Sequence, residues 1–436
     1  MSIIKKLASM LLTIVIIAAV FPGALDAHAG LDNYTYSGQF RPGQFRDVDQ
    51  RHWFAKYVED AFNYGLMKGR SANSFVPGGH LTLGEAITLA ARLRSIYHTG
   101  SSAFPTTVPY YEPYVEYAVL HGILDGEGAE NENSGGNAGG AGIGGSVNYA
   151  DDYSIPVTRA MFAKLMHNAL PHEAFMEINS ISDFTICDVA PTSDYGAAVY
   201  SLYRAGIISG SDQFGTFYPE RNITRAEACA IIVRIADPNM RLRVKLPDSL
   251  PAEVIYSRSV NAVVSIETFD DEGNLIRTGS GFFINNAGHI ITALHVINNA
   301  ASVSVTLLGG ATYDAAGIIS MSEEYNIVLL AVESDGGGFS SLVIADSDLV
   351  EAGNTVYALG NPLNYVNTIS DGVVAHTNRV LGDETFIMFT APISFGSGGG
   401  PVLNSRGQVI AIASSSFTHG QNINLAIPIN FIHTLS

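Results

Sequence analysis

Three segments of the chain share one sequence pattern, and this internal repeat constrains the fold of the N-terminal half. Each copy has an apolar-periodic stretch closed by glycine, a short extended piece, and a threonine that opens a second apolar stretch. The motifs at the second opening are Thr82-Leu83-Gly84-Glu85, Thr158-Arg159-Ala160 and Thr224-Arg225-Ala226-Glu227. The glycine is typical of a helix C-cap and the threonine of an N-cap. Since such helix pairs cannot bury their apolar faces alone, we expect the copies to pack around a common axis.

These motifs resemble the S-layer homology (SLH) domain over about residues 43–240. We place the copies at residues 43–98, 109–170 and 180–237, followed by a linker at 238–251. The second copy is interrupted at 126–148 by a Gly- and Asn-rich tract, which predicts a surface loop. The resemblance implies a mainly α-helical, three-pronged module that binds anionic secondary cell-wall polysaccharide in grooves between the prongs.

The resemblance also indicates which side chains would meet the glycan. In that family the arginine of the motif contacts the sugar, which makes Arg159 and Arg225 the candidates here, while the first copy has Leu83 at this position. The planar fork of an arginine can meet a sugar carboxylate bidentately. The same arginines could instead only complement a helix surface. Trp53 occupies the position that lies beside the glycan groove in the family, and it could equally belong to the core.

The first residues have the organisation of a secretory signal peptide. Lys5 and Lys6 precede an apolar run over residues 7–20, and the small-residue site Ala27-His28-Ala29 follows. The run is shorter than the ~20 residues that a membrane span requires. We therefore expect cleavage of residues 1–29, export, no stable membrane insertion afterwards, and a location at the cell wall of a bacterium.

Charge and residue spacing exclude several classes of partner. The 436 residues include 23 Lys and Arg against 41 Asp and Glu, a formal net charge of −18. Nucleic acids and anionic lipids require clustered cations, so neither is expected as a partner. His and Cys are scattered without metal-ligand spacing and no phosphate-binding loop occurs, so we expect neither a metal nor a cofactor. Cys187 and Cys229 could form a disulfide or remain two partly buried thiols.

The pattern changes at about residue 252, where short β-branched runs separated by Gly, Asn and Asp begin. Many short strands at regular spacing predict an all-β sandwich or a pair of barrels. Six landmarks then occur in order, at residues 279–284, 289–296, 360–362, 371–374, 396–401 and 422–428. Together they resemble a trypsin-like serine protease of the HtrA (high temperature requirement) type. The resemblance implies an all-β double-barrel domain over residues 252–436.

Catalysis in that family requires a serine nucleophile, a histidine base and a carboxylate that orients the histidine. The resemblance places His295 at the base, Asn326 at the carboxylate position and Gly398 at the nucleophile position. An amide at the carboxylate position costs about four orders of magnitude in rate, and loss of the serine costs about six. Ser397 stands one position earlier, and it would need a rearranged loop to act as the nucleophile.

Peptide binding does not depend on the missing side chains. The backbone N–H groups of Gly396 and Gly398 can form an oxyanion hole without any side chain. The strand around residues 413–415 can pair with an extended peptide. We therefore expect a wall-anchored pseudoprotease that binds a peptide or a protein partner. The alternatives are a slow serine endopeptidase that uses Ser397 and His295, and a domain that serves only as a spacer.

Overall fold

The computed structural model describes residues 29–124, 152–333, 338–361, 367–414 and 423–435. The predicted signal peptide up to residue 28 and the Gly-rich tract at 126–148 lie outside these residues. The chain divides into two compact units. The first comprises residues up to 181, 194–209 and 218–244, and the second comprises 182–193, 210–217 and 245–436.

The first unit is helical. Its helices are α1 (Ala55–Asn63), α2 (Leu83–Thr99), α3 (Glu112–Leu120), α4 (Arg159–Asn168), α5 (Gly196–Arg204) and α6 (Arg225–Ala236). Thr82, Thr158 and Thr224 are the N-caps of α2, α4 and α6, and each side chain accepts a backbone N–H three residues further on. Glu85 and Glu227 complete capping boxes in the first and third copies. The predicted helix starts are therefore present in all three copies.

The first helix of each copy ends as the glycine pattern predicts. Gly65, Gly122 and Gly206 follow α1, α3 and α5 with φ angles of +71°, +64° and +71°. Left-handed backbone of this kind is most easily adopted by glycine, because in other residues the Cβ atom lies too close to the following carbonyl oxygen. The chain then turns back toward the start of the second helix.

A closed ring of hydrogen bonds joins the three copies at their centre. Leu81 N donates to Ile223 O at 3.1 Å, Ile223 N donates to Val157 O at 3.1 Å, and Val157 N donates to Leu81 O at 3.0 Å. All three side chains are fully buried. Each copy thus supplies one short extended segment to the others, and the predicted packing around a common axis is confirmed.

The second unit contains two closed antiparallel barrels. The first consists of β1 (Val263–Phe269), β2 (Leu275–Phe283), β3 (His289–Ala293), β4 (Ser302–Thr306), β5 (Thr312–Ser322) and β6 (Ile327–Val332) in the order β1-β2-β3-β6-β5-β4. The second consists of β7 (Thr355–Gly360), β8 (Thr368–Leu381), β9 (Glu384–Phe389), β10 (Pro401–Asn404), β11 (Val409–Ser414) and β12 (Asn424–Pro428) in the order β10-β11-β12-β9-β8-β7. Helix α7 (Ala252–Ser259) precedes β1, and the short helix α8 (Leu294–Ile297) follows β3. The predicted double barrel is confirmed.

Two segments that the repeat pattern assigns to the third copy belong to the barrel unit, residues 182–193 and 210–217. Gln408 Nε2 donates to Ile186 O at 3.1 Å, and Arg258 Nη2 donates to Asp212 Oδ2 at 3.0 Å. The third repeat is therefore shared between the units. Such contacts are long-range and leave no local sequence signal.

The two cysteines are unpaired and buried. Burial raises the pKa of Cys187 to about 11 and that of Cys229 to about 12, so both thiols are protonated at neutral pH. Of the two possibilities left open by the sequence, the structure has the buried thiols. No helix among the described residues has the length and apolar character needed to cross a bilayer.

Candidate functional site

His295 lies on α8, directly after strand β3. Strand β3 pairs with β6, which begins immediately after Asn326. Asn326 has a φ angle of +54°, a left-handed conformation that asparagine tolerates better than most residues. Its backbone carbonyl accepts a hydrogen bond from Leu294 N at 3.0 Å. The asparagine is therefore tied to the turn that carries the histidine.

The hydrogen bonds of Asn326 determine where the imidazole proton resides. Asn326 Oδ1 accepts a hydrogen bond from the backbone N–H of His295 at 2.9 Å. A backbone N–H only donates, so this contact identifies the amide oxygen and leaves Asn326 Nδ2 facing His295 Nδ1 at 2.9 Å. Because an amide nitrogen donates, Nδ1 must accept and the proton of the neutral ring is on Nε2. The base of a catalytic triad has the opposite arrangement, with its proton on Nδ1.

The surroundings of His295 keep the ring neutral. Burial lowers the pKa of His295 from its ordinary value of 6.5. The Asn326 side chain opposes this shift, the positive charge of Arg277 adds to it, and the pKa is lowered on balance. Arg277 Nη1 donates to the carbonyl oxygens of His295 at 3.0 Å and Asn298 at 2.7 Å, which holds the guanidinium beside this turn. At neutral pH the ring is therefore a hydrogen-bond donor through Nε2.

The Gly-rich loop between β9 and β10 is held in place by Ser280 of strand β2. Ser280 N donates to Gly398 O at 2.8 Å, and Ser280 Oγ donates to Gly396 O at 2.7 Å. Asn361 N donates to the same hydroxyl oxygen at 2.9 Å. Ser280 is fully buried. The contacts fix two peptide planes of the loop, a role that sequence reasoning missed because the partners lie more than a hundred residues apart.

Gly399 shows why this loop requires glycine. Its φ angle is +84°, and an added Cβ atom would collide with Thr292 Oγ1 and with Ser280 O. Its N–H donates to Ala413 O at 2.8 Å. Larger residues at this position would push the loop away from both barrels' strands, so the glycine is a packing requirement.

The strand predicted to pair with a peptide is partly occupied within its own barrel. Ala413 N donates to Gly400 O at 2.8 Å, and Ala413 O accepts from Gly399 N. Both backbone groups of Ala413 are therefore used. Ser414, the last residue of β11, pairs with Leu425 of β12 on one side. Ser415, the remaining residue of the predicted pairing segment, lies outside the residues that the structure describes.

The two glycines predicted to supply the oxyanion donors lie in the same loop. Gly396 and Gly398 are both buried, and within the described residues neither N–H has a hydrogen-bond acceptor. Their neighbours differ, since Ser397 N donates to Ser394 O at 2.9 Å and Gly400 N donates to Ser397 O at 3.1 Å. Buried backbone donors are nearly always paired. Two unpaired donors in one fixed loop form an arrangement that an incoming oxygen would complete.

Ser397 is not placed as a substitute nucleophile. Its hydroxyl accepts a hydrogen bond from Ser394 N at 3.3 Å, and no hydrogen bond among the described residues joins it to His295. The side chain is 5% exposed. It also helps to line a small cavity, about 20 Å³ in volume, whose other walls include Gly360, Pro392, Ile393 and Ala413. The structure therefore assigns Ser397 to the wall of this cavity.

The two predicted glycan-binding arginines are buried between repeats. Arg225 of the third copy donates to Glu85 Oε1 of the first at 3.1 Å, and Arg159 of the second donates to Glu227 Oε1 of the third at 3.2 Å. Their side chains are only 4% and 5% exposed. Each arginine therefore ties one repeat to the next, and little of either guanidinium can reach a ligand.

Each of these glutamates also contacts an exposed arginine. Arg70 Nη2 lies 3.0 Å from Glu85 Oε2, and Arg221 pairs with Glu227. The side chains of Arg70 and Arg221 are 44% and 47% exposed. Trp53 is 60% exposed and is therefore a surface residue, not part of the core. The exposed arginines were missed because they stand outside the repeated motif.

Within the described residues, no group of three or more His, Cys, Asp or Glu side chains is arranged to hold a metal ion.

The double barrel, the histidine turn and the Gly-rich loop together define a trypsin-like peptidase domain, and comparison with known families agrees. The trypsin-like peptidase domain matches residues 279–412, and the S-layer homology domain matches residues 44–87 and 188–229. The latter matches cover parts of the first and third copies. The chain therefore combines S-layer homology repeats with a trypsin-like domain of the HtrA type.

Several curated proteins are similar to part of this chain. The putative serine protease HhoA of Synechocystis is 32% identical over 166 residues, which are 36% of this chain and 42% of the relative. The chloroplastic Protease Do-like 5 of Arabidopsis thaliana is 30% identical over 188 residues, 38% of this chain and 58% of the relative. The periplasmic pH-dependent serine endoprotease DegQ of Escherichia coli is 34% identical over 166 residues, 36% of each chain. The match thus spans between about a third and three fifths of these relatives' length.

Proposed function

We propose that the second unit is a pseudoprotease, which binds a peptide or a protein partner without cleaving it. The observation that carries this proposal is the pair of contacts from Asn326 to His295 N and Nδ1, from which we infer that the ring proton is on Nε2. A general base must offer a lone pair at that nitrogen, and Asn326 instead directs the lone pair to Nδ1. Gly398 offers no hydroxyl for a base to activate. The Gly396 and Gly398 N–H groups, which have no acceptor among the described residues, support the proposal that the loop still binds an oxygen.

Slow cleavage by Ser397 is not favoured by this geometry. A nucleophile and its base must come within hydrogen-bond reach of each other. The Ser397 hydroxyl bonds to Ser394 N instead, and the side chain lies against the small cavity. A His295 that carries its proton on Nε2 could not accept the serine proton in any case.

The test is covalent labelling of the full mature chain with a serine-directed fluorophosphonate. We expect no labelling of the wild type, slow labelling of Gly398→Ser, and fast labelling of Gly398→Ser/Asn326→Asp. The last step should add up to about four orders of magnitude, the cost of an amide at this position in a related triad. Wild-type labelling that Ser397→Ala abolishes would refute the proposal and establish an active enzyme.

We further propose that the repeat unit holds the chain on anionic secondary cell-wall polysaccharide. In this proposal the buried and the exposed arginines have different roles. Arg159 and Arg225 shape the grooves by holding Glu227 and Glu85, as their burial indicates. Arg70 and Arg221 present exposed guanidinium groups at the same two places, where a sugar carboxylate can be met by a planar fork. Trp53 offers an exposed aromatic face to a sugar ring.

A sacculus pull-down separates these roles. Arg70→Gln/Arg221→Gln should lose most binding to sacculi that retain their secondary polysaccharide, while the fold is unchanged. The charge-matched control is Arg41→Gln/Arg51→Gln, which removes two exposed arginines of the same unit that contact neither glutamate. Equal binding by the two double variants would reject the assigned grooves. Binding to sacculi stripped of the polysaccharide would reject the ligand.

A further inference from the structure

We infer that Val76 and Tyr218 are contact residues for the wall polysaccharide, and that each packs against the apolar face of a sugar ring. The inference rests on the proposed anchoring function and specifies how the repeat unit holds its ligand. Three observations carry it: both residues have an unfavourable backbone conformation, both side chains are exposed, and both lie at the junctions where a buried arginine meets a glutamate.

The backbone of both residues is left-handed, with φ angles of +61° at Val76 and +56° at Tyr218. A positive φ is uncommon outside glycine and asparagine, and it is a genuine outlier for a β-branched or bulky residue. Each residue also precedes a proline, Pro77 or Pro219, which restricts its backbone further. Glycine or asparagine would adopt this conformation at a lower cost in free energy, so the two side chains are present in spite of a penalty to folding.

Hydrogen bonds hold both residues in this conformation. Val76 N donates to Asp47 Oδ2 at 2.7 Å, and Gly79 N donates to Val76 O at 3.0 Å. In the equivalent turn of the third repeat, Arg221 N donates to Tyr218 O at 3.2 Å. Strained backbone that the surrounding structure enforces is concentrated at binding sites and switches. The strain therefore indicates a function for the side chains.

The two turns occupy equivalent junctions between repeats. In the first turn, Pro77 O accepts a hydrogen bond from Ala226 N at 3.0 Å, directly after the buried arginine of the third repeat. In the second turn, Pro219 O accepts from Ala160 N at 3.0 Å, directly after the buried arginine of the second repeat. Each strained residue thus lies next to one of the two arginine–glutamate pairs at which we propose that the glycan binds.

The remaining junction, between the first and second repeats, provides an internal comparison. Gly84 N donates to Tyr153 O at 2.9 Å, in the same way that the two alanines donate to the prolines. Leu83 stands in place of the arginine, and Asp152, which precedes Tyr153, does not have a positive φ angle. Among the described residues, the strained turn therefore occurs only at the junctions that have the charged pair. The repeat fold itself does not require it.

The side chains of both residues are exposed at these junctions, Val76 by 37% and Tyr218 by 40%. The guanidinium carbon of Arg221 lies 5.6 Å from the centre of the Tyr218 ring, so the ring stands beside the exposed cation that we propose for a sugar carboxylate. An added Cβ atom at Gly79 would collide with Val76 Cγ1 and would lie 3.8 Å from Arg225 Cδ, which places Val76 beside the buried arginine. A sugar held by its carboxylate would rest the C–H face of its ring on these apolar surfaces.

The experiment measures binding of the full mature chain to sacculi that retain their secondary polysaccharide, over a series of protein concentrations. The test variant is Val76→Asn/Tyr218→Asn, because asparagine tolerates left-handed backbone. Its apparent affinity should fall about tenfold, which is the effect of losing about 60 Å² of apolar contact. Its melting temperature, followed by the fluorescence of Trp53, should be unchanged or up to about 4 °C higher, because strain is relieved.

Val119→Asn/Met176→Asn is the matched control, since it removes two exposed apolar side chains of the same unit outside these turns. It should bind as the wild type does. Tyr218→Phe keeps the ring and should also bind as the wild type does. A loss of affinity by Tyr218→Phe as large as that of the double asparagine variant overturns the role of the ring.

Equal binding by the wild type and Val76→Asn/Tyr218→Asn overturns the inference and leaves the proposed anchor intact. Failure of the wild type to bind overturns both. A lower melting temperature of the double variant also overturns the inference, because the two side chains would then contribute to packing instead of holding a ligand.

Discussion

Arg225→Met is the substitution whose cost can be worked out most directly from the structure. Arg225 lies between the third and first repeats, where Nε donates to Phe75 O at 2.9 Å, Nη2 to Lys68 O at 2.7 Å and Nη1 to Glu85 Oε1 at 3.1 Å. Its guanidinium carbon also lies 4.8 Å from the centre of the Phe75 ring. Methionine keeps much of the side-chain volume and removes all three hydrogen bonds.

The loss in unfolding free energy depends on which partners Glu85 keeps after the substitution. Removing one partner of a buried ion pair costs about 3–5 kcal/mol in unfolding free energy. Glu85 keeps Arg70 and the N–H of Thr82 as partners, so the lower half of that range applies, about 3–4 kcal/mol. Arg70→Met is the matched control. It removes the exposed partner of the same glutamate and should cost about 1 kcal/mol or less.

Urea denaturation of the full chain, followed by tryptophan fluorescence, measures the unfolding of the helical repeat unit. The chain has one tryptophan, Trp53, and it lies in the repeat unit. With an m-value of about 2 kcal/mol/M, the midpoint should fall by about 1.5–2 M for Arg225→Met and by about 0.5 M or less for Arg70→Met. Equal shifts for both variants would refute the assignment of Arg225 as a tie between repeats.

Other substitutions test the barrel unit. Gly399→Ala should destabilise the barrel unit by about 2 kcal/mol or more, because the added Cβ would collide with Thr292 and the backbone is left-handed. Gly382→Ala is the control: the backbone is also left-handed there but the surrounding space is open, so the cost should be about 1–2 kcal/mol. Calorimetry measures the difference between the two variants. An NMR titration should give His295 a pKa below 6.5, and Asn326→Asp should raise it. Because the folded pKa is depressed, the stability contributed by the neutral ring is complete above pH 6.5 and is lost as pH falls through the folded pKa. His295→Gln should remove that part of the acid dependence of the urea midpoint.

Features set by neighbouring residues could be predicted from the sequence. The helix starts and the glycines that end α1, α3 and α5 follow local rules, and their positions are as expected. The short β-branched runs predicted an all-β sandwich or a pair of barrels, and the resemblance carried by the ordered landmarks implied the double barrel. The roles of His295, Asn326 and Gly398 remain predictions, since they come from alignment with a motif and the structure shows only where those residues lie.

Features set by distant residues could not be predicted. Ser280 meets the Gly-rich loop across more than a hundred residues, and Arg225 meets Glu85 across a similar separation. The same holds for residues 210–217, whose repeat pattern gives no sign that they pack with the barrel unit. The tautomer of His295 is a further example, because it depends on the direction of one amide group.

The contacts between repeats explain the missing arginine of the first copy. Arg159 of the second copy meets a glutamate of the third, and Arg225 of the third meets a glutamate of the first. In the first and second copies the corresponding motif positions are Leu83, in place of the arginine, and Met161, in place of the glutamate. Both charges are absent together. Losing one alone would leave a buried charge unpaired, whereas replacing both by apolar residues is often neutral or favourable.

The same reasoning connects Asn326 with Gly398. In a triad, the carboxylate stabilises the imidazolium that forms when the serine gives up its proton. If Gly398 stands at the nucleophile position, as we propose, it has no proton to give, so a carboxylate behind His295 would have no imidazolium to stabilise. A neutral ring is instead satisfied by an amide, whose oxygen accepts from His295 N and whose nitrogen donates to Nδ1. On the proposed assignment, Gly398→Ser or Asn326→Asp alone should therefore leave hydrolysis far below that of the double variant.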